Sequence, residues 1–173
     1  MTSRAEHDAR REAAYLVAEA AVFARAPVRF GAIDPTACAA FKREWEPHLD
    51  RKVNWDWHAL AGRYARQHFA RLELAIWSGN VLCGLVLGRF SRAETVLQLN
   101  FIEGAPGANP LRGDVLNLGV TFGEVLGSAY GSAVFRVTKP APHVVNALVL
   151  KGFRDVAQSK DPPYYHYCEA QLP

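Results

Sequence analysis

Residues 95–131 read TVLQLNFIEGAPGANPLRGDVLNLGVTFGEVLGSAYG, and the succession of residue types in them decides the fold. The apolar run that ends at Glu103 reads as a buried strand. The turn Asn109-Pro110-Leu111-Arg112-Gly113-Asp114 follows and opens a helix that Gly131 is suited to stop, since glycine accepts a left-handed backbone. The first N–H groups of a helix have no intrahelical acceptor and carry partial positive charge, so this turn is either an anion site or an ordinary strand-to-helix connection. Gly119, Gly123 and Gly127 recur at every fourth position, a pattern of membrane helix pairs, but Asp114, Asn117 and Glu124 argue against that. Close packing on a sheet, or on a flat ligand moiety, explains the small face.

Glu103 ends the most apolar strand, and strict alternation puts it on one face with Leu97, Leu99 and Phe101. A partly desolvated carboxylate is a candidate general base; a strand-end glutamate that reaches water is the plainer reading. Gly104, Pro106 and Gly107 end the ladder and can leave backbone groups free for a ligand.

Upstream, three strand-like runs, 71–77, 81–90 and 94–103, are joined by Ser78-Gly79-Asn80 and Ser91-Arg92-Ala93, which predicts an antiparallel meander. Glu73 alternates with Leu72 and Leu74 and is expected to face solvent. Residues 81–88 are apolar on both faces and belong in the middle of the sheet. Before them, residues 28–33 form a short strand, Asp34 or Thr36 caps a helix to about His48 that carries Cys38, Phe41 and Trp45 on one side, and a second helix spans 55–69. There Trp57, Leu60, Ala61, Tyr64 and His68 share a face; Trp55, Trp57 and Tyr64 are core residues or the wall of an acceptor site. A front helix runs to Ala26, with Ala9, Ala13, Leu16, Ala20 and Phe23 in register to pack on the domain, a second copy or a pocket. Downstream come a strand (133–138), a helix (141–151) begun by Pro140 and Pro142 and ended by Gly152-Phe153, and two strands (154–158 and 164–172) around a turn at 160–163.

With 173 residues, half of them apolar and 21% charged, the chain has the composition of one folded domain. Arg4, Glu6, Asp8, Arg10, Arg11, Glu12 and Glu19 interrupt any secretion signal, and no uncharged stretch is long enough to cross a membrane without a turn inside it. Cys38, Cys83 and Cys168 fit neither a disulfide framework nor a zinc pattern; His166 and Cys168 share a strand face without obvious further ligands, so no metal is expected. A cytoplasmic location follows from these readings. The net charge of +3 resides in residues 28–72, which hold eight basic and five acidic side chains. That surplus can steer an anion but is far below the dense stripe of a nucleic-acid binder.

The element order, with the turn Asn109-Pro110-Leu111-Arg112-Gly113 before the third helix and Gly152-Phe153 after the fourth, resembles the GCN5-related N-acetyltransferase (GNAT) superfamily over about residues 28–172. It resembles a divergent member. Arg112-Gly113-Asp114-Val115 keeps one arginine and one glycine of the family pattern but has Val115 at the second glycine position. Leu148 stands where the family has a tyrosine that protonates the leaving thiolate, and Ala141 where asparagine is common. The resemblance implies an α+β fold, a central mostly antiparallel mixed sheet of about seven strands flanked by helices, with residues 1–27 appended as a helix to a domain of residues 28–173. It implies an N-acyltransferase that uses acetyl-CoA or another acyl-CoA as cosubstrate, acts on a primary amine of a small molecule, peptide or protein, and is a monomer or homodimer.

On that resemblance, the N–H groups of Leu111, Arg112, Gly113, Asp114 and Val115 would hold the pyrophosphate, with help from the Arg112 side chain, and the pantetheine would pair along the backbone from Phe101 to Gly104. Ile102 would supply an oxyanion donor, Glu103 the general base, Tyr164, Tyr165, Tyr167 or solvent the proton for the thiolate, and Trp57 and Tyr64 part of the acceptor site. Two alternatives stand beside it. A GNAT-like binding or regulatory module without catalysis accounts for Val115 and Leu148. An RNA-directed enzyme, acting for example on aminoacyl-tRNA, would use Lys42, Arg43, Arg51, Lys52, Arg63 and Arg66, which a solvated helix face also explains.

Overall fold

The computed structural model describes residues 2–22, 24, 26–156 and 165–173. Its strands are β1 (Arg29–Gly31), β2 (Arg71–Ser78), β3 (Val81–Phe90), β4 (Val96–Gly104), β5 (Val134–Thr138), β6 (Arg154–Val156) and β7 (Tyr167–Gln171). They form one sheet in the order β1-β2-β3-β4-β5-β7-β6, in which only the β4–β5 pair is parallel among the described residues. The helices are α1 (Arg4–Ala21), α2 (Pro35–Ala40), α3 (Trp57–Gln67), α4 (Val115–Tyr130) and α5 (Pro142–Leu150), and a π-helical turn at Phe41–Trp45 continues α2. This is the expected mixed sheet flanked by helices, with an extra helix in front. No helix among the described residues is long and apolar enough to cross a membrane. The expected turn at 160–163 and the position of Phe23 lie outside the described residues.

Helix ends follow local chemistry. Asp34 and Asp56 accept the N–H groups of Ala37 and Ala59 at the starts of α2 and α3. Gly131, at φ 69°, closes α4 in the left-handed conformation. The sheet has a core on each side. One, under α1, α4 and α5, contains Leu72, Leu74, Val86, Leu97, Phe122, Phe135 and Leu148. The other, under α2 and α3, contains Phe41, Trp45, Trp57, Leu85 and Leu87.

Two expectations about facing are corrected. The buried side of α1 is His7, Arg11, Ala14, Tyr15 and Ala18, whereas Ala9, Ala13, Leu16 and Ala20 are exposed. Ring stacking selects this face: Tyr15 lies 5.1 Å from Phe122, and the His7 imidazole bonds the Tyr130 hydroxyl at 2.9 Å. Alanine favours a helix without needing burial. Glu73 does not face solvent. It is buried, paired with Arg71, and accepts the Ile33 N–H at 3.1 Å, because β2 is covered on both faces and the carboxylate is needed by the backbone entering α2.

The third correction concerns Glu103. Opposite β3, Phe101 pairs with Leu87 but Leu99 pairs with Gly88, so Asn100 is the extra residue of a β-bulge. The bulge reverses the alternation. Leu97 and Leu99 face the α4 core, while Phe101 packs with the α3 core and Glu103 is bonded to Trp57 on that side. Close approach also explains the glycines of α4: a Cβ at Gly123 would lie 2.3 Å from Phe135 Cζ, and one at Gly127 2.5 Å from Leu172 Cδ1. The small face of α4 is therefore spent on the sheet.

At the far edge, Glu169 on β7 accepts Arg136 at 2.9 Å and also Arg154. Burial alone would raise its carboxyl; the two guanidinium groups outweigh this and hold it below the usual carboxylate range. A lowered folded-state value gives stability that is present above the unfolded value of about 4 and lost as pH falls through the folded one. Thermal melts of Glu169→Gln and the parent should therefore differ most at neutral pH and converge on acidification below about pH 4. A difference that grows towards low pH would reverse the sign.

Candidate active site

The parallel β4–β5 ladder stops at Leu99 and Val137. Beyond that point the bulge at Asn100 diverts β4, while Lys139, at φ 48°, donates its N–H to the His166 carbonyl at 2.8 Å and draws the end of β5 towards β7. The strands part, and a cleft of about 1360 Å³ opens between them. Side chains bridge its throat: Tyr64 Oη donates to Asn100 Oδ1 at 3.2 Å, Asn100 Nδ2 donates to Thr138 Oγ1 at 3.0 Å, and Thr138 Oγ1 donates to the Leu99 carbonyl at 3.1 Å. Burial raises the Tyr64 phenol above its ordinary range, so this hydroxyl keeps its proton and serves as a donor.

Glu103 lines the cleft but is not a lone carboxylate. Arg51 grips it bidentately, Nε to Oε1 at 2.7 Å and Nη2 to Oε2 at 3.0 Å, and the Trp57 indole N–H reaches Oε2 at 2.6 Å. Arg51 also donates to the Trp55 carbonyl at 2.6 Å, so the ion pair fastens the loop before α3 to β4. Both charged side chains are about nine-tenths buried. Trp57, expected as part of an acceptor site, is fully buried and does not border the cleft; it donates to Glu103 and packs edge to face on Trp55 at 6.0 Å. Tyr64 does border it, together with Trp55 and Phe101.

At the mouth of α4, Leu111 N–H donates to Asn109 Oδ1, Arg112 N–H to Asn109 O and Asp114 N–H to Leu111 O. Three of the five N–H groups expected to hold an anion are thus used by the turn, because Asn109 folds it back on itself. The first helical turn from Val115 supplies further donors with no intrahelical acceptor. Leu111 is fully buried, and neither it nor Asp114 borders the cleft; Arg112, Gly113 and Val115 do. Arg112 reaches the Pro106 and Gly107 carbonyls at 3.1 and 2.7 Å. The valine at position 115 fits because Gly84 lies beneath it: a Cβ there would come within 2.7 Å of Val115 Cγ1.

Of the candidate tyrosines, Tyr165 borders the cleft with Lys139 Nζ 5.8 Å from its ring centre. Tyr167 is buried under the Arg136 guanidinium at 4.1 Å, and Tyr164 lies outside the described residues. Leu148 belongs to the core under α5, whereas His143 and Val144 face the cleft. Ile102 sits in the β3–β4 ladder opposite Val86 and also borders the cleft. Arg51, one of the basic residues of the RNA alternative, is withdrawn from solvent by Glu103.

Sequence reasoning missed the roles of Arg51, Asn100, Thr138 and Lys139. An asparagine interrupting an apolar strand, and a lysine before proline at a strand end, were the available signals. Apart from the cleft, Asp155 joins His166 and Cys168: the three ligand atoms lie within 4.8 Å of one another, with His166 Nε2 2.6 Å from Asp155 Oδ1.

No protein-family model matches the sequence, and no curated protein matches it. Solved structures do. An acetyltransferase of the GNAT family from Staphylococcus aureus Mu50 superposes with a TM-score of 0.60 at 8% identity, over 84% of this chain and 99% of that one. Ard1 from Thermoplasma volcanium gives 0.59 at 9% identity, over 84% and 98%. Mycobacterium smegmatis RimJ, in complex with CoA-disulfide, gives 0.58 at 15% identity, over 85% and 83%. At such identities the likeness is one of backbone architecture, and in that sense the chain has the fold of the GNAT acetyltransferases.

Proposed function

We propose that the cleft transfers an acyl group, acetyl in the first instance, from acyl-CoA to a primary amine. The observation that carries this reading is the gap between β4 and β5, which exposes a strand edge beside the mouth of α4. A pantetheine arm can continue the broken ladder along Phe101 to Gly104, and a diphosphate can lie against Gly113, Val115 and the first turn of α4 with Arg112 beside it. CoA-disulfide in RimJ and acetyl-CoA in yncA from Salmonella typhimurium, which shares the fold at a TM-score of 0.58, are in keeping with this ligand class.

An ammonium has no lone pair, so the acceptor must first lose a proton. Glu103 is assigned that role, directly or through water: three donors already occupy its two oxygens, and Oε1 keeps a lone pair. The amine nitrogen then attacks the thioester carbon. Negative charge grows on the carbonyl oxygen, for which a strand-edge N–H near Ile102 is the proposed donor. As the C–S bond breaks, the thiolate takes a proton from Tyr165 or from solvent, the nitrogen, which still carries two hydrogens after attack, gives one up to the tyrosinate or to water, and Glu103 returns its own to water.

Thermal melting with acetyl-CoA tests the reading. Ligand at about 100 times its Kd adds about 2.7 kcal/mol of stability, a shift of several degrees. An unchanged melting temperature at millimolar acetyl-CoA would overturn it.

A further inference from the structure

We infer that the acceptor is an amine that also bears an acidic group, and that Arg89 receives that group at the end of the cleft remote from α4. The inference rests on the acyl-transfer reading and specifies its second substrate. Distance separates two cationic ends. Asn109 Nδ2 donates to the Cys83 carbonyl at 2.9 Å and Gly84 pairs with Gly104, so the mouth of α4 is tied to the start of β3. Arg89 stands five residues further along β3 than Gly84, about 17 Å away at the rise of a strand. A guanidinium there is too far off to serve a diphosphate at α4.

Arg89 is exposed and borders the cleft, and its side chain makes one hydrogen bond among the described residues, to Gln98 Oε1 at 3.3 Å. It forms no ion pair with a described carboxylate. Beside it stands an aromatic wall: Phe101 lies 6.0 Å from Tyr64 and 5.1 Å from Trp55, both edge to face. His68 packs edge to face on Tyr64 at 5.2 Å, and burial, followed by the charges of Arg89 and Arg71, holds it below its ordinary range.

The cleft as a whole agrees. Among the described residues, five cations border it, Arg51, Lys52, Arg89, Arg112 and Lys139, against Asp50 and Glu103, and Arg51 and Glu103 neutralise each other. A polyamine would meet repulsion there, whereas an amine with a carboxylate or phosphate would be steered in. Glu103, paired with Leu85, lies four residues from Arg89 on the same face, about 13 Å before the two side chains reach inward. The proposed base thus stands at one end of the acceptor site and the Arg89 guanidinium, which receives the acid, at the other.

Matched amines test this: phenylalanine against phenethylamine, aminohexanoate against hexylamine, and spermidine as a polycation, each with acetyl-CoA, following release of the CoA thiol. The acids should exceed their uncharged-tail partners in kcat/KM by about tenfold or more, and Arg89→Gln should bring that ratio near one, with the loss falling on KM. Arg89→Lys should restore part of it. Preference for spermidine, a ratio near one in the parent, or an equal loss for acids and plain amines in Arg89→Gln would overturn the inference. Calorimetric binding of the same amines to the full chain with CoA present reads the preference without turnover. A chain that shows no melting shift with acetyl-CoA removes the acyl-transfer reading itself, a separate result.

Discussion

Glu103→Gln is expected to leave acyl-CoA binding in place while slowing turnover by about 10²- to 10⁴-fold, the usual share of a positioned general base. The substitution removes the charge but keeps an oxygen for Arg51 or the Trp57 indole, so the loop before α3 retains part of its anchor. Glu103→Ala goes further. It strands the Arg51 guanidinium, whose side chain is only 10% exposed, and breaking such a buried pair costs about 3–5 kcal/mol. Melting temperature and turnover measured on both variants separate the two roles. If Glu103→Gln loses activity only in proportion to its folded fraction, the carboxylate is an anchor and the base lies elsewhere; if activity collapses in a fully folded protein that still shifts with acetyl-CoA, the assignment stands.

Gly88→Ala is expected to destabilise the protein by about 3 kcal/mol and to distort the cleft along with the core. A Cβ at Gly88 would sit 2.1 Å from the Gln98 carbonyl oxygen, a backbone atom of the neighbouring strand that cannot swing aside. That contact exists because the bulge at Asn100 presses β4 against β3 at this level. The extra methyl forces either the ladder apart or the bulge to migrate. Migration by one residue would return Phe101 and Glu103 to the α4 face, so the variant should also lose acetyl-CoA binding. Equilibrium unfolding in urea and a melt with acetyl-CoA check both effects, and a variant with parental stability and ligand response would show that β4 relaxes without cost.

Much of the fold was legible because its signals are local. Ser78-Gly79-Asn80 announces a hairpin, Asp34 a helix start, Gly131 a helix stop, and the apolar run at 81–88 a central strand; each depends on neighbours a few residues away. The strand-turn-helix of residues 95–131 belongs to the same class. Side-chain facing was legible only where alternation is unbroken. Glu73 reads as exposed on a strand with one wet face, and it is the packing of α2 and α3 on the second face that buries it. Trp57 and Glu103 were both singled out, yet nothing in their spacing of 46 residues says that one donates to the other.

What the amino-acid order determined by itself was the list of elements, their sequence and the carboxylate at the end of β4, since propensity, turn chemistry and periodicity act over a few residues. What the tertiary structure alone decided was the direction in which that carboxylate points, the guanidinium that grips it, and the gap beside it. One inserted residue, Asn100, reverses the alternation of a strand, and one left-handed lysine, Lys139, turns the next strand away. Both are events between strands, and their consequences exist only once the strands have met.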